Sequence, residues 1–328
     1  MEVSVLPLHR TLDVRSGDNL LEALRQHQIP VSYSCMAGRC GTCRCKVISG
    51  NVLVTGANDT QRPAADGGSV LACQATVVED CVIEIPEVDE IVVHPSKIIK
   101  TTVSGIDDLT HDIKRVRLAL SKPFEFSAGQ YASLQFSPQH SRPYSMAVSA
   151  GGDEVEFHIR LVPGGRVTSY VATQLKVGDA VRLSGPLGTA YLRRKSPDPI
   201  LCIAGGTGLA PILSILRGMA DQALSNPVQV YFGVRSPRDV YGVAWLDELK
   251  ERLPNLTVHV VVMSATEPGP YRTGVVTDAV KHDWDSLKGW RAYVAGAPAM
   301  VDASTILLRQ KGLAAEHIYA DAFYASGV

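Results

Sequence analysis

"CMAGRCGTC", residues 35–43, sets three cysteines within nine positions, and "LAC" at residues 71–73 supplies a fourth. The spacing is Cys35-x4-Cys40-x2-Cys43, then 29 residues to Cys73. C-x4-C-x2-C…C is the plant-type [2Fe–2S] pattern, in which thiolates hold the iron pair. Gly38 and Gly41 let the backbone approach such a cluster closely and offer it N–H donors. A zinc site more usually shows two paired C-x2-C units, or a Cys pair with a His pair, and only one such unit occurs here. A thioredoxin-like dithiol would leave Cys35 and Cys73 without a role. Cys35, Cys40, Cys43 and Cys73 are therefore expected to hold a [2Fe–2S] cluster. Cys45, Cys81 and Cys202 lie on strand-like stretches and are expected to be buried apolar fillers.

The chain of 328 residues is long enough for two or three domains, and 45% hydrophobic with 20% charged residues is ordinary for a globular protein. No apolar run approaches the roughly 20 residues of a membrane span. The opening "MEVSVLPLHR" lacks the basic and apolar regions of a secretory signal, so a cytoplasmic protein is expected. That compartment argues against structural disulfides. A net charge of −1 gives no support to nucleic-acid binding. Residues 1–93 carry seven Lys/Arg against twelve Asp/Glu, and residues 94–328 carry 25 against 21. An acidic first part joined to a mildly basic remainder suits a chain whose later part holds anionic cofactors.

Three kinds of patterning follow one another. Residues 1–93 begin with a hairpin-like alternation (Val3–Leu8, Thr11–Val14) and an amphipathic helix carrying Leu20, Leu21 and Leu24, with Ser16 or Asp18 as its N-cap. Strands at Cys45–Ile48 and Cys81–Ile85 complete this part, and "IPEVDEIVVHPSKII" (85–99) reads as an extended connector. Residues 97–195 read as all-β, with strands at Ile113–Leu120, Tyr131–Phe136, Tyr144–Val148, Val155–Leu161 and Ala180–Leu183. One helix, Val167–Gln174, interrupts what is expected to be a small barrel. Residues 196–328 alternate strands ("ILCIAGG", "VQVYFGV", "LTVHVVVM", "RAYVAG") with helices near 208–224, 244–252 and 298–311, the signature of a parallel α/β sheet.

Two segments of the later part suit nucleotide cofactors. In "RPYSMA" (142–147), Arg142 can pair with a diphosphate, while Pro143, Tyr144 and Ser145 line a flavin ring and its N5 edge. In "VPGGRVTSYV" (162–171), Gly164 and Gly165 precede the helix, whose N-terminal N–H groups at Val167 and Thr168 form a ready phosphate site. Taken alone, the first also suits an ordinary strand end and the second an ordinary turn. "CIAGGTGLAPILSIL" (202–216) runs strand, glycine-rich turn, helix. Gly206, Thr207 and Gly208 permit close approach of a diphosphate. Pro211 stands where a GxGxxG fingerprint would have its third glycine, and no P-loop Gly-Lys-Ser/Thr follows. "YFGVRS" adds Gly233, Arg235 and Ser236 at a second strand end, and "YVAGAPAM" adds Gly296, Ala297 and Met300 at a third. Arg235 and Arg238 favour the extra phosphate of NADPH and Asp239 opposes it, so NADH is expected with NADPH tolerated.

In this order the motifs resemble the ferredoxin–NADP reductase superfamily over essentially the whole chain. They are most similar to the reductases of ring-hydroxylating dioxygenases, the naphthalene dioxygenase reductase group in particular. "SYSCMAGRCGTCRC", "RPYSMA", "GPLGTAYLR", "GTGLAP", "YFGVRS" and "IYADAFY" carry that similarity. The resemblance implies a β-grasp ferredoxin domain, a six-stranded antiparallel β-barrel FAD domain and a parallel α/β NAD(P)-binding domain. It implies electron flow from NAD(P)H through FAD and the cluster to a Rieske-type ferredoxin and then a terminal aromatic-ring oxygenase. It also implies that Arg142, Tyr144, Ser145, Gly165, Val167 and Thr168 contact FAD, that His158 and Arg160 reach its diphosphate or adenine, and that Phe323 lies over the flavin. The turn that often reads Cys-Gly in the family has Ala295 here. Direct reduction of an oxygenase, a flavin or ferric reductase, and a redox sensor are the alternatives.

Overall fold

Alternation in the first fourteen residues produces β1 (Glu2–Leu6) and β2 (Arg10–Asp13), which bury Val3, Val5 and Leu12 on one face. The computed structural model describes residues 1–31, 33, 38, 43–55, 61–64, 67–85, 92, 94–264 and 269–324. Helix α1 (Leu20–Gln26) adds Leu20, Leu21 and Leu24 to the same core. Its N-cap is Asn19 rather than Ser16 or Asp18. The Asn19 Oδ1 accepts the Glu22 N–H at 3.2 Å, and its Nδ2 donates to the Cys73 carbonyl at 3.0 Å. The Asp18 carboxylate is engaged by the Arg15 N–H instead. Strands β3 (Arg44–Ser49), β4 (Val52–Thr55), β5 (Gln61–Ala64), β6 (Ser69–Leu71), β7 (Ala75–Val77) and β8 (Cys81–Glu84) follow. They form a mixed sheet of order β2-β1-β8-β3-β6, in which β1 and β8 run parallel, beside a smaller sheet β5-β4-β7.

The barrel consists of β9 (Lys97–Thr110), β10 (Ile113–Leu120), β11 (Tyr131–Ser137), β12 (His140–Ser145), β13 (Glu154–Arg160), α2 (Arg166–Thr173) and β14 (Ala180–Leu187). Its antiparallel order is β12-β11-β14-β9-β10-β13, and a bridge between Met146 and Phe157 joins the two ends. Strand β9 begins inside the stretch read as connector, and the strand expected at 144–148 lies at 140–145. Among the described strands β12 pairs with β11 alone, where the missing N–H of Pro143 is tolerated.

The third sheet holds β15 (Ile200–Gly205), α3 (Leu209–Asp221), β16 (Val228–Val234), α4 (Val243–Arg252), β17 (Leu256–Val262), β18 (Arg272–Thr273), α5 (Val276–Asp283), β19 (Arg291–Gly296), α6 (Pro298–Gln310) and β20 (Ile318–Ala322). Its parallel order is β18-β17-β16-β15-β19-β20. The chain moves outward from β15 to β18, then returns to the other side of β15. That reversal leaves a crevice at the carboxyl ends of β15 and β19, where open α/β sheets take ligands. Helix α5 and strand β20 were not anticipated from the sequence.

Cys45, Cys81 and Cys202 are buried. Burial pushes the Cys45 thiol up to about 12 and Cys81 to about 11, and it raises Cys202 as well. Replacing Asn19 by Ala should destabilise α1 by about 1 kcal/mol. Native-state hydrogen exchange checks this as roughly fivefold faster exchange of the α1 amides.

Candidate cofactor and electron-transfer sites

The two described thiols of the cysteine motif converge. Cys73 lies in the single turn Ala72–Gln74, which connects β6 to β7. A hydrogen bond with Cys43 holds the Cys73 thiol down to about 6 against the effect of burial, assisted by the Gly38 backbone and the Gln74 side chain. Gly38 has φ +75°, and a Cβ there would meet the Gln74 side chain at 2.9 Å. Two paired thiols, that of Cys73 acidic, beside backbone N–H groups are a donor set that suits an iron–sulfur centre. Cys35 and Cys40 lie outside the described residues.

Ser145 ends β12 and faces the third sheet. Its Oγ donates to Asp321 Oδ2 at 2.7 Å. Burial pushes the Asp321 carboxyl up to about 6, although the Ser145 bond opposes the shift. Two residues beyond Asp321, the Phe323 N–H donates to the Gly296 carbonyl at 2.9 Å, fixing the chain beside the β19 turn. Tyr144 is pushed up to about 12 by burial, with Arg142 acting the other way.

Gly164 has φ +73° and Gly165 caps α2. Thr168 Oγ1 accepts the Val162 N–H at 3.2 Å and lies 3.2 Å from the Val162 carbonyl, so it staples this loop closed. A Cβ on Gly165 would stand 2.4 Å from that oxygen. The Val167 side chain packs into the barrel core, leaving only its backbone toward the turn.

Gly206–Gly208 forms one tight turn between β15 and α3, with Gly206 at φ +56°. A Cβ on Gly208 would stand 2.0 Å from the Ala295 carbonyl, and one on Gly296 (φ +143°) would stand 2.8 Å from the Gly205 carbonyl. The Met300 methyl packs against both Gly205 and Gly296. Pro211 is buried in the first turn of α3, where its missing N–H is harmless. Ala297 caps α6.

At the mouth of this crevice the Arg160 Nη1 would lie 3.6 Å from a Cβ at Gly206. Its Nε and Nη2 donate to Asp112 at 3.1 and 2.9 Å. Arg235 Nη2 bridges Asp112 (2.8 Å) and Asp239 (3.0 Å), and the Ser236 hydroxyl donates to Asp239 at 2.6 Å.

His158 is not on this surface. Its side chain is fully buried and shares hydrogen bonds with the Tyr241 hydroxyl (3.0 Å) and Glu156 (3.1 Å), and it stacks on Trp245. Arg115 and Arg217 pair with Glu156 at 2.6 and 3.5 Å. Burial raises Glu156, yet His158 and the two arginines hold it down at about 2.

Residues 3–78 match the 2Fe-2S iron-sulfur cluster binding domain, 100–191 the oxidoreductase FAD-binding domain and 202–305 the oxidoreductase NAD-binding domain. A Ralstonia sp protein described as the ferredoxin–NAD(P)+ reductase component of naphthalene 1,2-dioxygenase/salicylate 5-hydroxylase systems is 55% identical over 100% of both chains. The chain belongs to this reductase-component family. The Pseudomonas putida naphthalene 1,2-dioxygenase system component is 53% identical, again over 100% of both chains. Among solved structures, an Amycolatopsis cytochrome P450 reductase is 34% identical with a TM-score of 0.72, covering 98% of each chain. The ferredoxin reductase of a carbazole 1,9a-dioxygenase is 29% identical with a TM-score of 0.68, also over 98% of each.

As a member of this family the chain is an oxidoreductase with [2Fe–2S], FAD and NAD(P) as cofactors. The structure brings Ser145, Phe323, Gly206–Gly208 and Gly296 toward one crevice, and it leaves His158 and the Val167 side chain out of it. Sequence reasoning missed Asp321. No local pattern singles it out, because its strand β20 and the pairing with β19 emerge only in the fold.

A carboxyl raised to about 6 keeps a proton that the unfolded chain releases near 3.9. The native state then binds more protons than the unfolded one between these values, so this group's contribution to stability falls as pH rises from about 4 to 6. In urea unfolding of the flavin-free protein, Asp321→Asn should therefore gain on the wild type over that interval and hold a constant lead above it.

Proposed function

We propose that the chain passes electrons from NAD(P)H through FAD and a [2Fe–2S] cluster to a Rieske-type ferredoxin, and through it to a terminal aromatic-ring oxygenase. The observation that carries this reading is the Ser145–Asp321 contact, which seats the end of the flavin-type strand β12 against the third sheet's nucleotide-type crevice. The full-length similarity to two naphthalene dioxygenase system components supports the partner. Three domains, residues 1–93, 97–195 and 196–328, carry out the three tasks in a cytoplasmic protein. Among the described residues no helix is long and apolar enough to cross a membrane.

Bound flavin supplies the exchange between a two-electron hydride donor and a one-electron acceptor. The protein's part is placement. Arg142, Pro143 and Tyr144 line the flavin, with the Ser145 hydroxyl at its reacting edge. The N–H groups at the start of α2, opened by Gly164 and Gly165 and stapled by Thr168, receive the flavin diphosphate. Arg160 stands between the two nucleotide sites. Gly206, Thr207, Gly208, Gly296 and Ala297 form the floor for the dinucleotide, with Met300 beneath them and Gly233, Arg235 and Ser236 at its outer rim. Phe323, tethered to Gly296, would lie over the flavin. Cys35, Cys40, Cys43 and Cys73 hold the iron. Arg235 already has two carboxylate partners, which supports NADH over NADPH.

Cys43→Ser should leave NADH-dependent ferricyanide reduction within about twofold of wild type while abolishing reduction of a protein acceptor. Loss of both activities with FAD still bound would overturn the order of carriers. Anaerobic NADH should bleach flavin bands and a visible iron–sulfur envelope in the wild type, and assays with ferredoxin or oxygenase alone identify the direct acceptor.

A further inference from the structure

A cleft of about 300 Å³ separates the first sheet from the barrel, walled by α1 on one side and by Tyr131 and Gly188 on the other. Tyr33 and Tyr131 face each other there, and the Tyr131 hydroxyl is hydrogen-bonded to Tyr33. Each ring is held from behind. The Arg25 guanidinium covers the Tyr33 ring at 4.6 Å from its centroid, and Glu22 anchors that guanidinium at 3.1 Å. Gly188 has φ +92° and lies so close to Tyr131 that a Cβ would stand 2.8 Å from its ring.

What the two tyrosines adjoin gives the contact its meaning. Tyr33 precedes Cys35, one of the expected cluster ligands, by two residues in the sequence. Tyr131 stands directly opposite Ser145 in the β11–β12 register, which places the roots of their side chains about 5 Å apart. One hydrogen bond therefore joins a residue two positions from a cluster ligand to the cross-strand partner of Ser145 at the flavin edge.

We infer that the Tyr33–Tyr131 contact is the junction that positions the cluster against the flavin and thereby sets the rate at which electrons cross between them. The inference rests on the carrier assignment proposed above. At each crossing one electron leaves the flavin and one arrives at the cluster; no bond forms or breaks, and the tyrosines themselves are neither oxidised nor reduced. They are positioning residues.

Tyr33→Leu and Tyr33→Phe test this in the full holoprotein, with iron and FAD contents matched to wild type. Anaerobic stopped-flow mixing with NADH follows the flavin and cluster bands separately. Tyr33→Leu should leave flavin bleaching within about twofold of wild type and slow cluster bleaching by at least about tenfold. Tyr33→Phe keeps the ring under Arg25 and should recover part of that loss. Hydrogen exchange across residues 22–31 should quicken in the leucine variant, a readout independent of turnover. Should the leucine variant fail to retain its cluster, Tyr131→Phe removes the same hydrogen bond from the barrel side and is read in the same way. Wild-type cluster bleaching in the variants, or equal slowing of flavin and cluster, overturns the inference. A wild-type cluster that never bleaches with NADH overturns the carrier assignment instead.

Discussion

Two stretches of backbone, 206–208 and 295–296, pass so close that no side chain fits between them. The Gly208 Cα faces the Ala295 carbonyl, and the Gly296 Cα faces that of Gly205. This approach fixes the ends of β15 and β19 against each other, starts α3 at the crevice and places Gly296 where its carbonyl receives the Phe323 amide. The last strand is thereby set beside Ser145, across the boundary between barrel and nucleotide sheet. The absence of cysteine at Ala295 fits the same geometry. This position contributes a carbonyl, and its side chain lies buried in the sheet.

The boundary is held by a buried carboxylate and the partly exposed arginines that close over it. Glu156 is 3% exposed and collects Arg115 from the barrel, Arg217 from α3 and the His158 ring, while Trp245 of α4 lies under both guanidinium groups. Burying such groups is costly unless every partner is in place, so the arrangement favours one relative placement of the two sheets over near alternatives. Tyr241 extends the cluster toward the turn at Gly206.

The parts of this architecture that rest on local rules were legible from residue order. The cysteine spacing, the glycine turn after β15 and the strand–helix alternation beyond residue 200 each express a constraint felt within a few residues. The burial of His158 was not legible, because β13 is covered on both faces, by the barrel interior and by the nucleotide sheet. Period-two alternation cannot tell which face meets a ligand when both are covered. Strand β9 escaped because its polar run "SGIDD" and the preceding prolines look like connector, whereas pairing with β10 and β14 makes it a strand. Asn19 was passed over as N-cap although Ser16 and Asp18 have equal intrinsic claims. Its second bond, to the Cys73 carbonyl, decides the matter and is invisible in one dimension. The Tyr33–Tyr131 and Ser145–Asp321 contacts span 98 and 176 residues respectively, and no local pattern encodes either.

The three cysteines buried on strands bear on durability in air. Peroxide and electrophiles attack the thiolate rather than the thiol. With Cys45 near 12, Cys81 near 11 and Cys202 raised within β15, almost none of this sulfur is ionised at neutral pH. A protein that feeds electrons toward oxygen chemistry works beside its own corrosive by-products. Its spare sulfur is insulated from them, so oxidative damage through cysteine is confined to the thiols that the cluster itself would shield.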